Sequence, residues 1–298
     1  MNYRRVMGVE KLAAHARDGL GVRIAVLDSG SPISPLRGGV DPISCSIVGE
    51  PADVFGHATS IASILFGGRG IVGLCEAATP VYIKVLDDSG NGSVEDVSEG
   101  IEKAIELDVD LINMSLGFVR TEKCPSRLEK ACEMAKNAGK TVICAAGNDG
   151  GAVNWPAALK TTVCVGSAGK NGLKTAFSSV GEVDFVAPGL NLSVLDASGR
   201  LKTVSGTSFS AAIVTGVAAL LVNDMRSGHP RWAKGESVTD SLRLLAKDVG
   251  AAGYDHDTGY GYIYGKSCDP TVGMKIGRSF FGRILYKITS LIGLKAKE

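Results

Sequence analysis

The stretch VRIAVLDSG, residues 22–30, sets the reading of this chain. An apolar run, Ile24 to Leu27, leads into Asp28 and then into two small turn-forming residues, Ser29 and Gly30. A run without polar alternation suits a strand covered on both faces, as in a parallel sheet between helices. An aspartate directly after such a strand stands at its carboxyl end, where open α/β sheets bind their ligands. The pattern returns in VYIKVL (81–86), DLINMS (110–115), TVICAA (141–146) and TTVCVG (161–166). Helix patterns lie between these runs. SVEDVSEGIEKAIEL (93–107) spaces Val94, Val97, Ile101 and Ile105 for one helical face, behind a capping box of Ser93 and Asp96. PSRLEKACEMAKNAG (125–139) opens on Pro125 and stops at Gly139. The alternation predicts an α/β fold, a three-layer, doubly wound and mainly parallel sheet.

The 298 residues carry no internal repeat or linker before residue 265, so residues 1–265 read as one domain and 266–298 as a C-terminal extension. Net charge is +1, from 32 Lys and Arg against 31 Asp and Glu, which gives no global field for nucleic acid. The start has no apolar segment of signal-peptide length, and no membrane span is expected. Seven cysteines, an odd number with no C-x-x-C pair, fit reduced thiols and a cytoplasmic location.

Three residues stand where chemistry is expected. Asp28 ends a strand, His57 opens the short apolar helix in GHATSIASIL, and Ser208 lies in SGTSFSAA at the start of a long apolar helix. Asp, His, Ser is one of the chain orders in which a nucleophile–base–orienter triad occurs. A serine hydroxyl needs a base to take its proton, and imidazole titrates near neutrality. Asn148, in CAAGNDG, and the Ser208 N–H would serve as oxyanion donors. Each residue alone has a plainer reading as a turn, cap or core residue; the combination makes the site. Thr207 and Ser210 read as candidate caps of the helix after Gly206.

The motifs VLDSG, GHATSIA, NMSLG, AAGN, VAPG and SGTSFSAA, in this order, resemble those of the subtilisin-like serine proteases over roughly residues 6–265. The resemblance implies a triad of Asp28, His57 and Ser208, with Asn148 as the side-chain oxyanion donor. It also implies that Ser115, Leu116 and Gly117 on one side, and Gly90, Asn91 and Gly92 on the other, bind an extended peptide backbone. It begins so near the start that no prodomain is expected. There are departures. Ala58 and Ser63 replace glycines, Ser60 replaces a second histidine, Phe209 replaces a methionine, and Ala212 and Ile213 replace Pro-His.

The expected activity is therefore that of a serine endopeptidase acting on a peptide or protein, within the cell and on a specific precursor. The alternative from another class is a weak or inactive member of the fold that binds peptides. No cofactor is expected, and no metal: FGGRGIVGLCEAA (66–78) offers few of the about six to eight oxygens that calcium takes. GRGIVG (68–73) follows a helix and precedes a strand, the reverse of a dinucleotide fingerprint. Asp255, His256 and Asp257 read as a surface turn rather than a metal site, and Asp87 and Asp88 as a solvated turn rather than a selector for basic side chains. Residues 275–294 carry an apolar stripe with basic neighbours, which could rest on an anionic membrane surface, dock on a partner protein or pack back on the domain.

Overall fold

A computed structural model describes residues 1–33, 36, 41–169, 171–229 and 237–265. The extension at 266–298, with its basic stripe, lies outside the described residues.

The central sheet contains β1 (Arg23–Asp28), β2 (Ile43–Ser46), β3 (Thr79–Lys84), β4 (Leu111–Met114), β5 (Thr141–Ala145), β6 (Val163–Ala168) and β7 (Phe185–Pro188). Two-residue strands β10 (Ala246–Lys247) and β11 (Tyr262–Ile263) close one edge. The strand order is β10-β11-β7-β6-β5-β4-β1-β3-β2, parallel throughout except between β10 and β11. From β1 the chain first builds β2 and β3 on one side, then β4 to β7 on the other. The topology therefore switches at β1, beside the end that bears Asp28. A separate antiparallel hairpin pairs β8 (Leu192–Leu195) with β9 (Leu201–Val204).

Strands β1 and β3 to β7 bury both faces, and alternate residues of β1 go to different cores. Ile24 and Val26 join the layer formed by α1 (Tyr3–Met7), α2 (Glu10–His15), α3 (His57–Phe66) and α6 (Thr207–Arg226). Ala25 and Leu27 join the opposite layer, with α4 (Val94–Glu106) and α5 (Ser126–Asn137). This explains why the strands read as unbroken apolar runs: period two is present, but both phases are buried. The last helix among the described residues, α7 (Val238–Leu245), lies against the end of α6. The capping box before α4 forms, with Ser93 Oγ accepting from the Asp96 N–H at 3.0 Å and Asp96 Oδ2 accepting from the Ser93 N–H at 3.2 Å.

The 20-residue α6 is long and apolar enough to cross a membrane by length and composition alone, with a mean hydropathy of 1.5 over its best window. Its use here is different, because 94% of that window is buried inside the fold. It is the core helix beneath the sheet. At Gly216 a Cβ would stand 2.6 Å from the Leu74 Cβ, so the helix packs there with no room for a methyl group. We expect Gly216→Ala to destabilise the protein by ~1–3 kcal/mol by overpacking, although alanine is the better helix former by about 1 kcal/mol; the shift in a urea midpoint measures it.

Candidate active site

Asp28 is fully buried at the end of β1. Its Oδ1 accepts from the Ser29 N–H at 2.7 Å. Both carboxylate oxygens face the His57 ring, with Nδ1 at 2.8 Å from Oδ1 and 2.9 Å from Oδ2. A carboxylate can only accept, so Nδ1 donates, and the ring's lone pair is on Nε2.

His57 is the first residue of α3, and a residue unnoticed in the sequence places it. Asp53, fully buried, accepts from the Gly56 N–H at 2.7 Å with Oδ1. Its Oδ2 accepts from the Thr59 N–H at 2.7 Å and the Thr59 hydroxyl at 2.5 Å. An acceptor aimed at the free N–H groups of the first turn stabilises that end of the helix. Ser29 links the two carboxylates: its hydroxyl lies 2.7 Å from Asp53 Oδ1 and 3.1 Å from Asp28 Oδ1, and accepts from the Ala58 N–H at 3.0 Å. The available signal was an acidic residue four positions before His57, in DVFGH.

Burial alone would push the His57 pKa below that of ordinary imidazole. The Asp28 charge and hydrogen bond, with Asp53 behind them, outweigh burial and the opposing charge of Lys202, so His57 is held above it. The Phe209 ring, only 6% exposed, packs against the imidazole at 5.8 Å between centroids. That is the role of the residue standing where the resemblance has methionine.

Ser208 is the second residue of α6, after Gly206 at φ 155°, a backbone conformation that favours glycine. The expected caps do not form: the N-cap residue is Gly206, and neither the Thr207 nor the Ser210 hydroxyl caps the helix. Thr207 instead gives its N–H to Asn148 Oδ1 at 2.8 Å, with its hydroxyl 3.0 Å from the same oxygen. Ser210 Oγ donates towards the carbonyls of Ala187 and Pro188, each at 3.1 Å. These hydroxyls fasten the helix start to strand ends and leave the Ser208 N–H uncapped. With Oδ1 of the exposed Asn148 occupied, its Nδ2 is the atom left for a ligand. The Ser208 hydroxyl donates to the Ser115 carbonyl at 3.0 Å, and no hydrogen bond joins it to His57 among the described residues.

A cleft of about 370 Å³ opens beside His57. Gly90, Asn91 and Gly92 form one wall and Ser115, Leu116 and Gly117 the other, with Phe55, Leu86 and Phe118 as apolar lining. The structure thus brings both expected peptide-binding stretches to the histidine. Asp87 and Asp88 do not line it. Asp87 Oδ1 accepts from the N–H groups of Ser89 and Asn91 at 2.8 and 2.9 Å, closing the turn that carries Gly90. Asp88 Oδ1 binds Lys84 Nζ at 2.9 Å; that lysine is 1% exposed and also donates to the Ser29 carbonyl at 2.6 Å.

A larger cavity of about 510 Å³ lies elsewhere, along Leu173, Lys174 and Asp255–Thr258. There Asp255 Oδ1 accepts from the N–H groups of Asp257 and Thr258, both at 2.8 Å, and closes a turn as read from the sequence. Burial pushes the thiols of Cys124 and Cys132 up to about 11 and about 12, and those of Cys144 and Cys164 well above the usual range. None of these four is a thiolate nucleophile at neutral pH.

The replaced residues of the His57 helix also find their use. Ser60 Oγ lies 2.8 Å from the Leu195 carbonyl, and Ser63 Oγ accepts from the Leu195 N–H at 3.2 Å. Together they fasten α3 to β8.

Residues 19–261 match the model of the Subtilase family. The chain belongs to the subtilase family. This subtilase is 37% identical over 235 residues to the thermostable alkaline protease of Halalkalibacterium halodurans, covering 75% of this chain and 62% of that protein. It is 34% identical to the M-protease of Shouchella clausii, over 81% of this chain and 64% of that protein. The chain therefore spans less than two thirds of the length of these two relatives. With Subtilisin Savinase of Lederbergia lenta it shares 32% identity over 82% of this chain and 90% of the relative. Among solved structures, a Ser-to-Ala mutant of the protease domain of PatA superposes with a TM-score of 0.74 at 25% identity, covering 84% of this subtilase and 94% of that chain.

The raised His57 pKa gives a pH signature. With His57 as the proposed base, which must be unprotonated to act, kcat/KM should rise with pH through a limb above about 6.5. Asp28→Asn removes the charge that holds the imidazolium, so the limb should move to lower pH while kcat falls by about 10³–10⁴-fold. A pH–rate profile of both proteins measures this.

Proposed function

We propose that this subtilase is a serine endopeptidase that cleaves peptide bonds through an acyl-enzyme, with Ser208 as nucleophile, His57 as base, Asp28 as its orienter and Asn148 as oxyanion donor. The observation that carries the reading is the His57 ring held by Nδ1 against buried Asp28, beside a serine at the uncapped start of a buried helix. An extended peptide lies in the cleft between residues 90–92 and 115–117, pairing its backbone with both walls. The Ser208 hydroxyl turns from the Ser115 carbonyl, gives its proton to His57 Nε2 and attacks the substrate carbonyl carbon. The resulting oxyanion takes hydrogen bonds from the Ser208 N–H and Asn148 Nδ2. As the C–N bond breaks, His57 passes its proton to the leaving amine; water, deprotonated by the same ring, then releases the acyl group.

Phe55, Leu86 and Phe118 suit apolar substrate side chains on the acyl side of the scissile bond. Limited processing of a protein precursor in a reducing compartment is the finer part of the proposal; its support is that all six described cysteines are free. A second reading, peptide binding without hydrolysis, has one observation in its favour: the Ser208 hydroxyl rests on the Ser115 carbonyl and not on His57.

A fluorophosphonate probe separates the two. Labelling of the native chain but not of Ser208→Ala is the expected result, and no labelling of either would leave the binding module. Asn148→Ala should lower kcat by about 10²–10³-fold with KM little changed. In a peptide library, Phe55→Ala should weaken the preference for large apolar side chains without lowering turnover of the best small ones.

A further inference from the structure

Strand β4 carries one polar residue among apolar ones, and nothing in the triad uses it. Asn113 is fully buried between Ile112 and Met114. A buried amide is costly unless it is hydrogen-bonded, so its partners show what it is for. Its Oδ1 accepts from the Thr215 hydroxyl at 2.9 Å, and its Nδ2 donates to Ser115 Oγ at 3.0 Å. Ser115 Oγ in turn donates to the Ser208 carbonyl at 2.8 Å. The Ser208 hydroxyl closes the chain on the Ser115 carbonyl at 3.0 Å.

The donors all run one way. Thr215 fixes the amide with its oxygen towards α6, so the NH₂ faces Ser115. Having accepted from that NH₂, the Ser115 hydroxyl turns its own proton to the Ser208 carbonyl. Bonds arranged in series in a dry interior polarise and strengthen one another. Thr215 lies seven residues beyond Ser208 on α6, two turns along the same face. A threonine inside a helix commonly returns its hydroxyl to the carbonyl four residues before it; here the hydroxyl goes to the sheet.

We propose that Thr215 is a positioning residue for the nucleophile: through Asn113 and Ser115 it sets the Ser208 peptide unit against the wall that binds the substrate. The chain joins two distances that catalysis needs at once, from serine oxygen to substrate carbonyl and from substrate backbone to residues 115–117. The inference rests on the endopeptidase reading, whose own failure would be seen separately, as a native chain that neither cleaves peptides nor takes the fluorophosphonate.

With an active native chain, Thr215→Val tests it, since the side chain keeps its shape and loses only the hydroxyl. The expected result is a fall in kcat of about fivefold, the net worth of one buried hydrogen bond felt in the transition state, with KM unchanged. The rate of fluorophosphonate labelling should fall in parallel, and Thr215→Ser should restore both. Ser115→Ala, which removes the hydroxyl but keeps the carbonyl, should lower kcat at least as much, and adding Thr215→Val to it should cost nothing more. Unchanged kcat in Thr215→Val, no rescue by serine, or additive losses in the double variant would each overturn the proposal. Should Thr215→Val fail to fold, Ser115→Ala decides by itself: a loss confined to kcat supports the chain of bonds, and an unchanged kcat overturns it.

Discussion

The hydrogen-bonded contact between the His57 ring and the Asp28 carboxylate depends on a second buried carboxylate that touches neither ring nor substrate. Asp53 gathers the Gly56 and Thr59 N–H groups and so sets where α3 begins, which sets where the imidazole stands. Ser29 then spaces the two carboxylates. Without such donors, two carboxylates this deep would repel each other. With them, Asp28 holds His57 above the usual imidazole range despite its burial. The rest of the site is arranged around that pair.

The proposed nucleophile is mounted differently. Ser208 belongs to a helix whose surroundings are almost wholly apolar, so its position is inherited from core packing. A rigid core element gives precision that a loop does not, and the hydroxyls near the helix start refine it by bonding to neighbouring strand ends. The cost is a helix whose N-cap residue, Gly206, has no side chain to cap it. Its free N–H groups are useful only where an anion develops, which is where the proposed oxyanion would form.

The cleft walls are held from behind by charge. Asp87 closes the turn bearing Gly90, and Asp88 meets Lys84, whose ammonium is buried and also bonds the residue after Asp28. A buried cation is tolerable here because two carbonyls and a carboxylate surround it. The arrangement ties the turn that carries Gly90 to the strand end that bears Asp28. Asp87 and Asp88 are thereby scaffold, and the side chains that line the cleft with the histidine include the apolar Phe55, Leu86 and Phe118.

The sequence by itself determined the strand runs, the helix starts and the order of Asp28, His57, Asn148 and Ser208, because these are local signals: apolar period, turn residues and small residues at strand ends. It also brought residues 90–92 and 115–117 forward, through the resemblance their motifs carry. It could not say where a buried hydroxyl or carboxylate sends its bonds. Ser29 finds Asp53 24 positions away, Thr215 finds Asn113 at 102 and Ser60 finds Leu195 at 135. Such partners meet only when strands and helices from distant parts of the chain are packed together. For the same reason Thr207 and Ser210, which read as caps, became ties between helix and sheet. Their local pattern was compatible with both, and only the packed structure supplied the stronger acceptors.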